Sequence, residues 1–180
     1  RLELAERIDA VSATEMVVTI RADAKFANGA PVTAADVAFT FGSVIREGSD
    51  SPSHKQLRDR FTAVEAIDPR TVRFRLSKPL ATFASDLDYG ILCAACADAD
   101  GKFSPAGLVG AGPYQLRSLS PTKVELVANP HYWAGAPRVP KLTMLVVREP
   151  TARTLMLLRG SADFMQNGIR PDVLDDIADR

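Results

Sequence analysis

Near the start of the chain, an alternating pattern of apolar and polar positions gives way to a helical one. Residues 15–22 read E-M-V-V-T-I-R-A, a β-branched run that predicts a strand. The pair Asn28-Gly29 predicts a tight turn, because both residues tolerate a positive φ. Residues 34–46 carry apolar side chains at helical spacing and are therefore predicted to form an amphipathic helix. These apolar positions are Val37, Phe41, Val44 and Ile45.

Residues that favour the start and the end of a helix flank this predicted helix. Thr33 is a favoured N-cap residue, and Pro31 directs the chain toward it. Asp36 places a carboxylate beside the positive end of the helix dipole, and Gly48 ends the helix. The pattern predicts a strand, a tight turn and a capped helix that packs back on the sheet.

Two β-hairpins are predicted farther along the chain. In the first, residues 62–67 and 71–76 flank Asp68-Pro69-Arg70, with proline at its favoured second turn position. The apolar residues of its second strand alternate with arginines, which predicts one buried face and one solvated face. The second hairpin comprises residues 114–119 and 123–128.

The other predicted elements are shorter or less regular. Helices are predicted at residues 53–60, 79–87, 152–159 and 171–179, the third with Thr151 as its cap and Gly160 at its end. Strands are predicted at residues 91–96, 142–148 and 162–166. Residues 97–109 are predicted to be a surface loop, and residues 129–137 a turn-rich aromatic segment. Hairpins mixed with helices indicate an α/β (mixed α+β) fold.

Length and charge exclude several classes of function. The 180 residues fit one domain with room for a small subdomain. Lys plus Arg and Asp plus Glu both number 22, which argues against a nucleic-acid interface or a polybasic membrane surface. No apolar run approaches the roughly 18 residues of a membrane span. Because the chain begins at Arg1, we interpret it as a mature or excised piece.

The two cysteines, Cys93 and Cys96, stand as C-A-A-C. A structural zinc site needs more ligands, and the two histidines, His54 and His131, are isolated. We interpret the cysteines as two half-buried thiols in preference to a redox site, which would need a βαβ frame. A local disulfide remains open if the compartment is oxidising.

Enzyme motifs are missing from the sequence. It contains no Gly-x-Ser-x-Gly elbow and no phosphate-binding loop, and two histidines leave few candidates for a general base. A set of carboxylates near the end of the chain is interpreted as the solvated face of the last predicted helix, with calcium binding as a remote alternative. These residues are Asp172, Asp175, Asp176 and Asp179. No catalytic residue, metal ligand or cofactor is expected.

Five blocks of sequence in one order resemble the family 5 extracellular solute-binding proteins of ABC transporters. Residues from Ala5 onward resemble the family's Leu-Ala-Glu segment that leads into a strand. Two motifs are the most specific, F-x-N-G-x-P-x-T-A-x-D-V-x-F at residues 26–39 and G-A-G-P-Y at residues 110–114, where the family often has Thr in place of Ala111. The block N-P-x-Y-W-x-G-x-P at residues 129–137 and the segment from Ala152 to Asp163 complete the resemblance.

The resemblance implies a type II periplasmic-binding-protein clamshell that traps a solute between two lobes. This chain would be part of lobe I, with residues 25–140 including an extra subdomain and residues 141–180 returning to the main lobe. The implied partners are a small-molecule solute, most simply a peptide, and the permease of an ABC transporter. The implied location is periplasmic or at the cell surface, with no direct membrane insertion of this chain and no nucleic-acid partner.

Other functions remain open beside this one. The solute can also be nickel, haem or a sugar on the same fold. Similar domains also serve as effector sensors in transcriptional regulators. A redox protein using the cysteine pair is a third hypothesis.

Candidate ligand-binding residues come from two segments. Gly110, Ala111 and Gly112 form a loop in which glycines permit close backbone approach to a ligand. Asp88 and Tyr89, together with Asp86, precede a glycine at the end of a predicted element, where binding residues often sit. A second set of motif residues is interpreted as structural, because its chemistry is that of turns, caps and core aromatics. This set comprises Asn28, Gly29, Pro31, Thr33, Asp36, Tyr114, Asn129, Tyr132 and Trp133.

Overall fold

Two antiparallel sheets organise the computed structural model, which describes residues 3–98, 103–104 and 107–166. The first sheet has the order β1-β2-β4-β3 and consists of β1 (Ala5–Ser12), β2 (Glu15–Ile20), β3 (Phe61–Asp68) and β4 (Thr71–Leu76). The second has the order β5-β6-β7 and consists of β5 (Tyr114–Leu119), β6 (Lys123–Ala128) and β7 (Lys141–Leu145). Both predicted hairpins and the strand predicted at residues 15–22 are thereby confirmed, the latter ending at Ile20.

Four helices accompany these sheets in the described residues. They are α1 (Ala34–Ile45), α2 (His54–Arg60), α3 (Phe83–Asp86) and α4 (Pro150–Leu158). The predictions for residues 34–46 and 53–60 are confirmed to within one residue at each end. The mixture of hairpins and helices confirms the predicted α/β (mixed α+β) class.

An aromatic core forms between α1 and the first sheet. Phe41 of α1 meets Phe61 of β3 and Phe74 of β4, and Phe83 of α3 completes the group. Their ring centroids lie 5.3 to 6.1 Å apart in edge-to-face contacts, the arrangement that aromatic quadrupoles favour. Val37 and Val44 are buried on the same face of α1, as the helical spacing predicts. Burial of this face holds α1 on the sheet.

The turn and the cap that precede α1 form as the sequence predicts. Gly29 has φ of +85°, and the Asn28 side chain accepts a hydrogen bond from the Ala30 N–H at 3.0 Å. Thr33 is the extended N-cap residue. The Asp36 carboxylate accepts both the Thr33 N–H at 2.8 Å and the Thr33 hydroxyl at 2.7 Å. This carboxylate therefore satisfies donors that the first helical turn leaves open.

Several shorter predictions are wrong. Residues 91–96 form no strand, and Ala94–Cys96 is a 3₁₀ turn instead. The reason is that the backbone there donates to side chains of α1 rather than to a neighbouring strand. Of residues 79–87 only Phe83–Asp86 is helical, and residues 162–166 form no strand. The strand predicted at residues 142–148 ends at Leu145.

The start of α4 also differs from the prediction. Thr151 is not the cap, because the helix begins at Pro150 and Glu149 occupies the N-cap position. Its carboxylate accepts the N–H groups of Thr151 at 3.0 Å and Ala152 at 2.5 Å. These two hydrogen bonds hold the pKa of Glu149 below its ordinary value. The helix predicted at residues 171–179, with its four aspartates, lies outside the described residues.

The Asp36 network leads to a prediction about stability. We expect Asp36→Ala to lower the free energy of unfolding by about 3 kcal/mol, because it removes a buried acceptor and leaves the half-buried N–H groups of Thr33 and Ala94 without a partner. Asp36→Asn should cost less, since an amide oxygen still accepts. Urea denaturation of each variant measures the change, with Asp59→Ala at an exposed position of α2 as the control. A cost for Asp36→Ala no larger than that of the control would contradict this role.

Candidate functional site

A cavity of about 650 Å³ opens over the first sheet. Its floor is apolar and consists of core side chains from the sheet and α1, including Val18, Ile20, Phe41 and Phe74. Two irregular segments border it, and we call them the acidic rim (residues 88–91) and the glycine rim (residues 110–113). Tyr132 and Trp133 line a third side. An apolar floor with polar groups at its edges is the usual composition of a small-molecule site.

The five residues predicted to bind a ligand all line this cavity. Asp88 and Tyr89 belong to the acidic rim, and Gly110, Ala111 and Gly112 belong to the glycine rim. Asp86, which we grouped with Asp88 in the sequence, lies elsewhere. It is buried and forms an ion pair with Arg60 of α2. The five predicted residues that do line the cavity bring together one carboxylate, one phenol and the backbone of a glycine-rich loop.

Side chains of α1 contact Tyr89 in the acidic rim and anchor the segment that directly follows the rim. The Leu92 N–H donates to the Thr40 hydroxyl at 2.9 Å, and the Ala94 N–H donates to the second Asp36 carboxylate oxygen at 2.9 Å. Tyr89 packs its ring 5.8 Å from that of Phe41, and its hydroxyl lies 3.2 Å from the Ser51 hydroxyl. Thr40 and Asp36 are 1% and 7% exposed, so the accepting side of both hydrogen bonds is buried. The rim therefore keeps one geometry although it has no strand partner.

Asn129 holds the glycine rim. This residue is fully buried, and its side-chain amide donates to the Gly112 carbonyl at 2.8 Å while its oxygen accepts the His131 N–H at 2.9 Å. Its own N–H donates to the Pro113 carbonyl at 2.9 Å. Sequence reasoning placed Asn129 among the structural motif residues but missed its contact with the rim. Nothing in the sequence marks that contact, because the partner is a backbone carbonyl.

The remaining motif residues lie around the cavity or behind it. Tyr132 donates its hydroxyl to Glu3 at 3.1 Å, and the Arg21 guanidinium lies 4.0 Å from the Trp133 ring centroid, a cation–π contact. The Tyr114 hydroxyl donates to the Val139 carbonyl at 2.9 Å. A different group, Asn28, Gly29, Pro31, Thr33 and Asp36, does not line the cavity. Glu3 and Ile91 line it and were missed by sequence reasoning.

Cys93 and Cys96 are joined by a disulfide. The interpretation as two thiols is therefore wrong, and the local disulfide that the sequence left open is present.

Across residues 3–98, 103–104 and 107–166, no group of three or more His, Cys, Asp or Glu side chains is arranged to hold a metal ion. In the same residues, no helix has the length and apolar character needed to cross a membrane.

The sequence matches a known family over residues 2–179, "Bacterial extracellular solute-binding proteins, family 5 Middle". The probable D,D-dipeptide-binding periplasmic protein DdpA of Escherichia coli is 32% identical over 159 residues, which cover 83% of this chain and 30% of DdpA. The chain thus spans less than a third of that relative's length.

Solved structures of similar proteins share the fold. The unliganded open form of MppA, a periplasmic murein tripeptide binding protein, has a TM-score of 0.80 and 25% identity, covering 97% of this chain and 39% of MppA. NikA from Brucella suis in complex with Fe(III)-EDTA also has a TM-score of 0.80, at 22% identity, covering 96% of this chain and 36% of NikA. Type II periplasmic binding proteins therefore contain the architecture found here.

The Asn129 contacts lead to a second prediction. We expect Asn129→Ala to lower the free energy of unfolding by about 2 kcal/mol, because the Gly112 carbonyl and the His131 N–H lose the fully buried side chain that pairs with them. Gln56→Ala is the control, since Gln56 carries the same carboxamide at an exposed position of α2 and its loss should cost less than about 1 kcal/mol. Chemical denaturation of both variants measures the difference. Equal costs would show that Asn129 does not secure the glycine rim.

Proposed function

Because the chain belongs to the family 5 bacterial extracellular solute-binding proteins, we propose that it is part of the substrate-binding component of an ABC transporter. The family consists of binding proteins, not enzymes. In this proposal the intact protein captures a solute between two lobes and delivers it to the permease. This chain supplies one wall of the enclosure, in keeping with the 30% of DdpA that it spans.

The observation that carries the proposal is the convergence of both rims on one cavity. Asp88, Tyr89 and the backbone of residues 110–112 come from distant parts of the sequence, yet they border the same apolar floor. Such an open wall binds weakly alone, because the solute stays exposed to water on its other side. A second lobe that closes over the cavity would complete the desolvation. Closure then couples solute binding to a change of shape that the permease can detect.

The chain is assigned to lobe I in this proposal. Residues 25–140 include the extra subdomain, and residues 141–180 return to the main lobe. The location in this proposal is periplasmic or at the cell surface; the names of DdpA and MppA call those two proteins periplasmic. The Cys93–Cys96 disulfide supports an oxidising compartment of this kind.

We assign a peptide as the solute. DdpA and MppA, by their names, bind a D,D-dipeptide and a murein peptide. The acidic rim offers one group that a peptide needs, the exposed Asp88 carboxylate, which can pair with an ammonium group. The likeness to NikA concerns the fold alone at 22% identity, and it carries no argument about the solute.

Calorimetric titration with a library of di- to pentapeptides tests this function. We expect the full-length parent protein to bind members of the library and the 180-residue chain to bind them at least about 100-fold more weakly. If neither the parent protein nor the 180-residue chain binds any peptide, the peptide assignment fails. Nickel, haem, a sugar or an effector-sensing role would then be favoured. Tight binding by the 180-residue chain alone would contradict the two-lobed enclosure.

A substitution on the glycine rim tests the position of the site in the same parent protein. A Cβ added to Gly112 meets no heavy atom within 4 Å, so we expect Gly112→Leu to fold and to occupy part of the cavity. It should weaken peptide binding about tenfold, or 1.4 kcal/mol. Gly42 in α1 is equally open but does not line the cavity, which makes Gly42→Leu the control. Equal affinities for the two variants would place the solute elsewhere.

A further inference from the structure

The acidic rim continues directly into the disulfide loop of residues 93–96. Cys93 is 4% exposed and belongs to the hydrophobic core, whereas Cys96 is half-buried at the far end of the 3₁₀ turn. The Cys96 N–H donates to the Cys93 carbonyl at 3.0 Å, so one backbone hydrogen bond and one covalent bond close the same short loop. Because Ile91 and Cys93 are both anchored in the core, the loop fixes the end of the rim.

The other side of the disulfide loop touches the chain that leads to the glycine rim. A Cβ placed on Gly107 would lie 2.9 Å from the Cys96 carbonyl oxygen, so only glycine lets the two backbones approach this closely. The Asn28 side-chain amide donates to Cys96 Sγ at 3.8 Å. Its neighbour Ala27 donates its N–H to the Gly110 carbonyl at 2.9 Å. The disulfide loop, the Asn28 turn and the glycine rim therefore form one connected cluster.

We propose that the Cys93–Cys96 disulfide is a positioning clamp that holds both rims of the cavity, and that its reduction weakens solute binding. The proposal rests on the proposed function only in naming the cavity as the solute site. Cys93 and Cys96 themselves do not line the cavity. They act through the Asp88–Ile91 backbone on one side and through Gly107 and Gly110 on the other.

The short loop makes this a local effect. A disulfide stabilises a fold mainly by removing entropy from the unfolded chain, and that contribution grows with the length of the closed loop. Here the two cysteines are separated by only three positions, so little of the unfolded ensemble is constrained. Reduction should accordingly lower the global stability much less than the loss of a long-range disulfide would, and loosen mainly the segments that the loop contacts.

The chemistry of the switch is ordinary thiol–disulfide exchange with a dithiol. Cys96 is the more exposed of the two cysteines, so its sulfur is the expected point of attack. A thiolate of the dithiol bonds to Cys96 Sγ, the protein S–S bond breaks, and Cys93 leaves as a thiolate that takes up a proton. The second thiol of the reagent then displaces Cys96. The protein gains two electrons and two protons, and the reagent becomes a cyclic disulfide.

Hydrogen exchange on the full-length parent protein tests the clamp without any solute. Three samples are compared: the oxidised protein, the protein reduced with dithiothreitol, and the Cys93→Ser/Cys96→Ser variant. We expect amides of residues 88–94 and 107–112 to exchange about tenfold faster in the second and third samples. Amides of the β3–β4 hairpin should stay within about twofold, and Tm within about 3 °C. The reduced wild-type protein keeps the test independent of the substitutions.

A binding measurement connects the clamp to function. Using a peptide that the calorimetric screen has shown to bind, we expect reduction to weaken affinity at least about threefold in the wild type. Dithiothreitol should leave the affinity of the double serine variant unchanged, which controls for other cysteines of the parent. If no peptide binds, the peptide assignment fails, while the exchange rates of the rims still decide the clamp.

Two results would overturn the proposal. Unchanged exchange at both rims after reduction would mean that the hydrogen bonds which Thr40 and Asp36 accept from Leu92 and Ala94 position the acidic rim without the disulfide. A large fall in Tm, with protection lost in the β3–β4 hairpin as well, would make the disulfide a general staple of the fold.

Discussion

The buried carboxylate of Asp36 is the interaction on which the cavity most depends. One oxygen accepts the N–H and hydroxyl of Thr33, and the other accepts the N–H of Ala94, 58 positions away. A buried charge is tolerated here because three donors surround it and the positive end of the α1 dipole faces it. The same group therefore begins the helix that carries the core face and fixes the segment that borders the cavity. Local structure and site geometry are coupled through one side chain.

The two rims follow a common physical rule. Neither belongs to a sheet, so their backbone groups must be satisfied by side chains or by other loops. Thr40 and Asp36 do this for Leu92 and Ala94, directly after the acidic rim, and Asn129 does it for the glycine rim. All three are at least nine-tenths buried, and in a low dielectric such hydrogen bonds are costly to lose. Rigid geometry thus arises in irregular backbone from a few long-range bonds.

The sequence predicted those parts of the fold whose causes are local. Both hairpins and α1 follow from alternation, turn residues and the Thr33 cap, all within a few positions of each other. The strand predicted at residues 91–96 was wrong because its apolar residues are buried by α1 and its N–H groups bond to side chains far away in sequence. At α4, Pro150 fits the first helical turn, which lacks N–H partners anyway, so the cap moves back to Glu149. The five candidate site residues were predicted from glycines and element ends, yet their meeting at one cavity required the tertiary fold.

In the function proposed above, the composition of the cavity would let one fold serve different solutes. The floor consists of core side chains such as Phe41 and Phe74, which the aromatic cluster constrains and which cannot change without loss of stability. Such a floor contributes a free energy of binding through removal of apolar surface from water, and this contribution depends little on which solute is bound. Orientation and selection then fall to the few polar groups at the rims and to whatever surface closes over them. Discrimination among peptides, or between peptides and other solutes, is therefore expected to reside in Asp88, Tyr89 and the facing lobe, while the first sheet and α1 keep the wall in shape.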